Sequence, residues 1–212
     1  MQSVFFLAIL ALIICSAVAS DTVDLVTFDG SKDSEVRRWS LTNDPVMGGV
    51  SNSTWTVEEE KQQGHWVGGV EIVPSLAAPG FCNLMTNVGE WPSASGYTHM
   101  VITAKSTLPY LGFKFSFGAD TLNLQFKCFK ADFVMQSTGE WEQIYIPMTE
   151  FSNNWSSYTG EPIVKCSDDP SVCPTDSNLE DIKQIGFWME GAEGDFDFTL
   201  KSVQAGFAPE KK

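Results

Sequence analysis

Basic side chains are scarce in this sequence, which has 13 lysines and arginines against 27 aspartates and glutamates and a formal net charge of -14. Residues 1–20 contain no charged side chain, so all of this negative charge lies in residues 21–212. A domain with this charge repels the phosphate backbone of DNA and RNA. The composition therefore excludes nucleic acid as an expected partner, whereas a basic protein or a bound cation is compatible with it.

Histidine is rarer still, with His65 and His99 as the two examples. Neither lies in a recognised catalytic motif, and the sequence has no G-x-S-x-G, H-E-x-x-H or P-loop segment. A pair of carboxylates that cleaves glycosides needs no motif, but the Glu58–Glu60 run is followed by Lys61 and further polar residues, as is typical of an exposed loop. We therefore expect a protein that is not an enzyme and that needs no cofactor.

Long apolar runs are absent after residue 20. The run before it, Val4 to Cys15, is followed by small residues that include Ala17-Val18-Ala19. A short apolar run before a small-x-small pattern is typical of a secretory signal peptide, and no arginine-rich transit pattern is present. We expect residues 1–20 to be a signal peptide, residues 21–212 to form one domain without a membrane span, and the protein to be secreted or to lie in the secretory-pathway lumen.

Cysteine is limited to five residues, one of which falls within the expected signal peptide. The even number that remains predicts two disulfides rather than a metal site, because no paired C-x-x-C spacing occurs. Four cysteines allow three pairings. The turn-forming residues between Cys166 and Cys173 favour that pair, which leaves Cys82 with Cys128.

Two further patterns indicate partners outside the polypeptide. Asn52 and Asn154 each begin an N-x-S/T sequon, which we expect to be glycosylated in the same compartment. The pair Asp168-Asp169 lies in a Ser-, Pro- and Asp-rich stretch from Ser152 to Asn178 that is predicted to be a long loop. Acidic pairs of this kind bind calcium in jelly-roll modules, although no EF-hand spacing supports calcium here.

Sustained apolar periodicity at helical spacing is also absent, apart from one predicted helical turn at Asn178–Lys183. Alternation with period two dominates instead: Leu111, Phe113, Phe115 and Phe117 share one side of a strand. Further strands are predicted at 23–28, 51–57, 65–73, 81–85, 100–104, 122–128, 141–146, 185–189 and 196–203. Many short strands separated by Gly, Pro, Asn and Asp turns predict an all-β fold, an antiparallel β-sandwich or jelly roll.

Aromatic side chains are plentiful, with seven tryptophans. Exposed indole rings stack on sugars or anchor protein interfaces, whereas most indoles pack in cores. Trp141 and Trp188 lie inside predicted strands and are expected in the core. Trp91, which precedes a proline, and Trp155, in the long loop, are the candidates for exposure and binding.

Residues 39–51, WSLTNDPVMGGVS, combine a turn with a pair of glycines. Asp44 and the asparagine before it form turns through their side chains, and Pro45 keeps Asp44 out of the helical region. Gly48 and Gly49 then allow a positive φ or the close approach of another segment before the next strand begins. This pattern predicts a corner between two strands.

The same segment resembles the signature of the complex I intermediate-associated protein 30 family, a tryptophan followed by D-x-V-M-G-G-x-S. The resemblance continues at residues 64–70, 78–81, 138–148 and 179–190, and so covers nearly all of the chain after residue 20. It implies a galactose-binding-like jelly roll and a non-catalytic role in holding assembly intermediates of respiratory complex I. The candidate binding residues on this resemblance are Trp39, Asp44, Met47, Gly48 and Gly49.

Three functions are consistent with these patterns. The first is a secreted, non-enzymatic binding or assembly module with a protein partner, which combines the family resemblance with the expected signal peptide. The second is a carbohydrate-binding, lectin-like module that uses Trp91 or Trp155. The third is a mitochondrial complex I assembly factor, which requires that residues 1–20 are not a secretory signal.

Overall fold

The computed structural model describes residues 22–30, 38–45, 48–119 and 128–209. Its strands form a six-stranded sheet, a five-stranded sheet and a small two-stranded sheet, and all the pairs are antiparallel. The strands are β1 (Thr22–Val26), β2 (Trp39–Asn43), β3 (Asn52–Glu58), β4 (Gln63–Val70), β5 (Ile72–Val73), β6 (Ala78–Pro79), β7 (Phe81–Thr86), β8 (His99–Ser106), β9 (Phe113–Gly118), β10 (Phe129–Asp132), β11 (Glu142–Pro147), β12 (Gln184–Glu190) and β13 (Gly194–Gly206). The predicted all-β antiparallel sandwich is therefore confirmed.

Strand β13 is the centre of the six-stranded sheet. Along one edge it pairs with β8, and along the other it pairs first with β4 and then with β1. Strand β11 extends the sheet beyond β8, and β3 extends it beyond β4. A bulge between Leu200 and Ser202 leaves Lys201 as an additional residue in β13 relative to β8.

The five-stranded sheet has the order β10-β9-β12-β7-β2. Its inward side chains meet those of β13 in a core that is largely aromatic. Phe115 of β9, Phe187 of β12 and Phe198 of β13 are all fully buried, and the rings of Phe187 and Phe198 lie 5.2 Å apart. Burial of a side chain of this size stabilises the fold by about 1.5–3 kcal/mol, so the packed aromatic rings hold the two sheets together.

Most predicted strands are confirmed, but three strands, β2, β6 and β10, were not predicted. Strand β2 has a polar sequence and pairs along one edge only, with β7, so its burial alternation is weak. Strand β10 begins immediately after Cys128, where the predicted strand ends. Residues 122–127 of that predicted strand lie outside the described residues.

Helical structure is short in the described residues. Helix α1 (Asp176–Glu180) begins two residues before the predicted turn, because Thr175 forms a capping box with Asn178. Three-residue 3₁₀ helices occur at Glu59–Lys61, Met148–Glu150 and Pro170–Val172.

One of the two predicted disulfides is present and the other is wrong. Cys166 and Cys173 are bonded, with their Cα atoms 4.8 Å apart. Cys82 and Cys128 are instead free and buried. Cys82 lies on β7 and Cys128 adjoins β10, so that β12 and β9 separate them. Three strand spacings amount to about 14 Å, whereas a disulfide needs Cα atoms within about 7 Å.

The predicted corner carries the chain from β2 in one sheet to β3 in the other. Asp44 lies in this corner with a φ of 20° and 2% of its surface exposed, and its N–H donates to the Phe81 carbonyl at 3.0 Å. Its carboxylate fills a space made by two glycines. A Cβ on Gly80 would lie 2.1 Å from Asp44 Oδ2, and a Cβ on Gly49 would lie 2.4 Å from the same atom.

A side-chain bridge next to the corner joins the two sheets directly. Ser53 Oγ donates to Asn43 Oδ1 at 2.5 Å, and Asn43 Nδ2 donates to the Ser53 carbonyl at 3.1 Å. The Ser53 hydroxyl also accepts a hydrogen bond from Trp66 Nε1 at 3.0 Å. The corner is therefore an element of the fold that fixes how the sheets meet.

The glycine requirement at the corner can be tested by stability. Gly80→Ala is expected to lower the free energy of unfolding by about 1–3 kcal/mol, because the added methyl group must displace the buried Asp44 carboxylate. Gly89→Ala is the matched control, since a Cβ there meets no atom within 4 Å, and its effect should stay within about 0.5 kcal/mol. Urea unfolding measures both variants, and equal midpoints would contradict the proposed packing.

The free thiols can be tested by chemical titration. Burial raises the pKa of Cys82 and of Cys128 to about 11, so both remain protonated and shielded at neutral pH. Protein lacking residues 1–20 should show no reactive thiol while folded and two in concentrated guanidinium. The readout is the absorbance of a disulfide-exchange reagent. If unfolding releases no thiol, Cys82 and Cys128 are bonded after all.

Candidate functional site

The outer side of the five-stranded sheet is closed by the protein itself. Lys114, Lys130 and Trp188 point away from the core, yet each is at least nine-tenths buried. Residues 151–165, which we call the covering segment, lie over them. Ser152 pairs with Lys130 of β10 through two backbone hydrogen bonds, Lys130 N to Ser152 O at 2.9 Å and Ser152 N to Lys130 O at 3.0 Å.

The covering segment is fixed at both of its ends. Trp155 Nε1 donates to the Cys128 carbonyl at 3.0 Å, which holds the indole over the sheet. Directly after the segment, the Cys166–Cys173 disulfide cross-links a short loop. This loop is bonded back to the segment, because Asn153 N donates to the Val172 carbonyl at 3.0 Å. Cross-linking restrains this loop, so the closed arrangement is built into the fold.

A buried ionic cluster lies under the covering segment. The Lys130 ammonium donates to Glu190 Oε1 at 2.5 Å and lies 3.6 Å from the ring centre of Trp155 and 3.9 Å from that of Trp188. Because buried charges are costly unless paired, this arrangement satisfies an ammonium and a carboxylate that would otherwise destabilise the sheet.

A second buried lysine in the cluster joins the sheet to the covering segment. Lys114 Nζ donates to Asp132 and, at 3.0 Å, to Glu161 Oε1 of the segment. Burial by itself lowers the pKa of Lys114, but the hydrogen bonds and charges of Asp132 and Glu161 outweigh it and raise the pKa above its ordinary value. This side of the domain is therefore filled by its own charges, with a cleft beside β10 between Lys130, Trp155 and Lys165.

The sequence-predicted site residues do not come together in one place. Trp39 is half-buried and packs on Trp55 with 5.3 Å between ring centres, while Asp44 and Gly49 form the buried corner. Gly48 lies beside them with a φ of 79°, and Met47 lies outside the described residues.

The two candidate tryptophans differ from prediction and from each other. The expected exposure of Trp91 is wrong, because its side chain is 8% exposed and belongs to the core. The residues after Trp91 fold back on α1, where Ala94 N donates to the Leu179 carbonyl at 2.8 Å. Trp155 is half-buried, and the ammonium group of Lys130 in the buried ionic cluster lies over its ring.

The outer side of the six-stranded sheet is open, and we call it the open face. The register aligns Thr56, His65, Thr199 and Lys105 in one row across β3, β4, β13 and β8. Trp141 continues this row beside β11, where Lys105 Nζ lies 4.9 Å from the centre of its ring. The row therefore combines polar and aromatic side chains on the outer side of the sheet, with Thr56 exposed, His65 and Lys105 partly exposed and Thr199 buried beneath them.

A shallow groove of about 490 Å³, its mouth included, crosses the open face. The side chains that form the floor of the groove are hydrogen-bonded to one another. Asp197 accepts from His65 Nε2 at 2.8 Å and from the Thr107 hydroxyl, so both of its oxygens are engaged. The full lining consists of Glu58, Lys61, Gln63, His65, Lys105, Thr107, Asp197 and Thr199.

Glu58 forms the other acidic position of the groove. It accepts from Lys61 Nζ at 3.1 Å and from Gln63 Nε2 at 2.5 Å. These hydrogen bonds, from Lys61 first and then Gln63, lower the pKa of Glu58. Both carboxylates of the groove are thus oriented acceptors, and the amide, hydroxyl and ammonium groups between them are donors.

Trp141 is the exposed aromatic side chain of this face. Its expected place in the core is wrong, since 40% of its surface is exposed. The alternation of β11 explains the difference: Ile144 and Ile146 point inward, so residues of the opposite parity, including Trp141, point outward. The sequence held this signal, because the two isoleucines mark the inward side of the strand. Trp188, in contrast, is 4% exposed, and the covering segment buries it on the outer side of its sheet.

The predicted modification and metal positions occupy different places. Asn52 is exposed at the start of β3, and Asn154 is half-buried in the covering segment; glycosylation of both stays a prediction. Asp169 accepts from Ser171 N at 2.9 Å and caps a 3₁₀ helix, and Asp168 accepts from Ser167 Oγ at 3.3 Å. Among the described residues, no group of three or more His, Cys, Asp or Glu side chains is placed to hold a metal ion. Over the same part of the chain, no helix has the length and apolar character needed to cross a membrane.

Comparisons with known proteins identify the fold and the family. No curated protein matches the chain by sequence. A family 11 carbohydrate-binding module from Clostridium thermocellum, in complex with a β-1,3-1,4-mixed-linked tetrasaccharide, is similar with a TM-score of 0.53 and 13% identity, over 89% of this chain and 99% of that one. The module CtCBM11 in solution has a TM-score of 0.54 and 16% identity, over 92% of this chain and 99% of that one.

An enzyme also contains a similar domain. The agarase AgWH50C has a TM-score of 0.54 and 12% identity, over 90% of this chain but 25% of its own. At these identities the likeness shows a shared galactose-binding-like β-sandwich. The family comparison goes further, because the match spans residues 26–201, which include the corner at Asp44 and most of both sheets. The chain therefore belongs to the complex I intermediate-associated protein 30 family.

Proposed function

We propose that this protein is a non-catalytic carbohydrate-binding domain whose ligand lies in the groove of the open face. The observation that carries the proposal is the exposed indole of Trp141, which adjoins Lys105 at the edge of a groove lined by carboxylates, an amide, hydroxyls and an imidazole. An aromatic ring stacks on the apolar side of a sugar, and polar side chains held in place bond its hydroxyls. The similarity to modules that bind glycans supports the same function.

The preorganised floor of the groove favours hydroxyl-rich ligands. Asp197 is held by His65 and Thr107, and Glu58 is held by Lys61 and Gln63, so each carboxylate meets a ligand in one orientation. Polar groups that are already oriented lose little side-chain freedom on binding. A sugar hydroxyl can donate to a carboxylate and accept from a neighbouring amide or ammonium.

The chemistry of the groove supports binding rather than hydrolysis. Cleavage of a glycosidic bond needs one protonated carboxylic acid with a raised pKa and one ionised carboxylate. The pKa of Glu58 is lowered instead, and both oxygens of Asp197 already accept hydrogen bonds from His65 and Thr107. Nucleophilic catalysis would require the Thr107 hydroxyl to contact the His65 imidazole directly. Asp197 lies between the two side chains and bonds to each of them instead.

We propose that the protein acts in the secretory pathway or outside the cell. The short apolar run over residues 1–20, the Cys166–Cys173 disulfide and the exposed sequon at Asn52 all support that setting. A mature N-terminus at Ser20 or Asp21 on a glycosylated chain would exclude a mitochondrial assembly role.

A protein partner is the second candidate function, because the family description names a protein associated with an intermediate of complex I. The structure offers one specific surface for it. Leu111 and Val134 flank the paired strands β9 and β10 at the same end, and 77% and 72% of their surfaces are exposed. Exposed apolar side chains that are close together favour protein contacts.

Saccharide binding should depend on Trp141. Trp141→Ala is expected to weaken binding about tenfold or more, because the exposed ring on which the sugar stacks is removed, while the thermal midpoint stays close to that of the parent. A polysaccharide panel, tested by affinity electrophoresis with calcium and with chelator, selects the ligand, and calorimetry measures its affinity. Tyr158→Ala is the matched control, since it removes an aromatic ring that is 72% exposed on the covering segment. If the control loses binding and Trp141→Ala retains it, the ligand lies on the other sheet.

Substitutions in the buried cluster of the closed side should change the free energy of unfolding rather than saccharide binding. Lys130→Met leaves the Glu190 carboxylate buried without its ammonium partner and is expected to cost about 3–5 kcal/mol in unfolding free energy. Lys165→Met, at an exposed lysine, should change stability by less than about 0.5 kcal/mol. Urea unfolding measures both. Unchanged stability of Lys130→Met, together with lost saccharide binding, would make the cluster a ligand site.

A further inference from the structure

Two lysines converge on the exposed indole of the open face. Lys105 Nζ lies 4.9 Å and Lys201 Nζ 5.6 Å from the centre of the Trp141 ring. The two reach it from different strands, Lys105 from β8 and Lys201 from the bulge in β13. The ring keeps 40% of its surface exposed beside them.

These lysines differ from most others in an acidic chain. With a net charge of -14, carboxylates are abundant, and four of the five other described lysines are paired: Lys61 with Glu58, Lys114 with Asp132 and Glu161, Lys130 with Glu190, and Lys183 with Glu90 and Asp181. Lys165 is exposed and has no aromatic ring beside it in the described part of the chain. Neither Lys105 nor Lys201 forms an ion pair with any carboxylate in the described part of the chain. Two unpaired ammonium groups therefore share one aromatic neighbour at the end of the groove.

The pairing of the charged side chains leaves two cations available to an anion at this position. Glu58 pairs with Lys61, and both oxygens of Asp197 accept hydrogen bonds from His65 and Thr107. The ammonium groups of Lys105 and Lys201 are not engaged by these carboxylates. Ammonium groups form strong charge-assisted hydrogen bonds with sulfate and carboxylate oxygens.

Resting on the proposed carbohydrate function, we infer that the saccharide bound on the open face is anionic and carries sulfate or carboxylate groups. Its ring stacks on Trp141, its hydroxyls bond the floor of the groove, and its charged substituent lies between Lys105 and Lys201. The same charges explain how a strongly acidic protein binds an acidic polymer: attraction is confined to one patch, whereas the remaining surface repels nonspecific polyanions.

The test compares matched neutral and charged polysaccharides. Dextran is paired with dextran sulfate, and methyl-esterified pectin with polygalacturonate, while polyglutamate serves as a polyanion without sugar rings. We expect the charged member of at least one pair to bind about tenfold or more tightly than its neutral counterpart, with an affinity that falls as salt screens the exposed charges.

The variants distinguish the specific contribution of Lys105 and Lys201 from the effect of the overall charge of the protein. Lys105→Gln combined with Lys201→Gln should reduce affinity for the charged polysaccharide about tenfold or more and flatten its salt dependence. Lys165→Gln, which removes one positive charge from the covering segment, should leave both unchanged. Trp141→Ala should weaken binding of charged and neutral saccharides alike.

The outcomes distinguish this inference from the function on which it rests. If neutral and charged members bind equally and Trp141→Ala abolishes both, the carbohydrate function stands and the anionic preference is wrong. If polyglutamate binds as tightly as the charged polysaccharide, the sugar ring is irrelevant and the inference is overturned. If the folded protein binds no saccharide at all, both proposals fall.

Discussion

The bulge in β13 is the constraint on which both the core and the open face depend. Phe196, Phe198 and Leu200 point into the core before it, and Val203 and Ala205 point into the core after it. Unbroken period-two alternation from Leu200 would turn Val203 and Ala205 outward. The bulge accommodates Lys201 as an additional residue and returns the second half of the strand to the inward side. The same residue then projects beside Trp141, so the packing of the core creates part of the candidate site.

The two outer faces show opposite treatments of charge. On the five-stranded sheet, Lys130 and Glu190 are buried together under the covering segment, where the low local dielectric makes a complete network stabilising and an incomplete one costly. On the six-stranded sheet, Lys105 and Lys201 remain in contact with solvent, where an unpaired charge costs little. An unpaired charge can be kept available for a ligand only on a solvent-exposed surface such as the open face. The closed face therefore supports the fold, and the open face is suited to binding.

The family signature has a structural explanation in this chain. The buried Asp44 carboxylate occupies a space that only the absence of side chains at Gly49 and Gly80 provides, and the Asn43–Ser53 bridge ties the strands beside it. The segment therefore preserves the angle at which the chain crosses between sheets. A family can retain such a corner while its members differ in compartment and ligand, because the corner does not contact the open face where binding is proposed.

Features that depend on near neighbours could be predicted from the sequence: the alternation of the strands, the corner at Asp44 and the Cys166–Cys173 bond are encoded within a few residues of each other. Strand order and sidedness could not. Period two tells which side chains share a side, but not which side meets the other sheet or which distant strands adjoin. For this reason Trp91 is buried, Trp141 is exposed, Cys82 and Cys128 lie apart, and Lys130 meets Glu190. The candidate site consists of such long-range neighbours, and it exists only once the sheets have assembled.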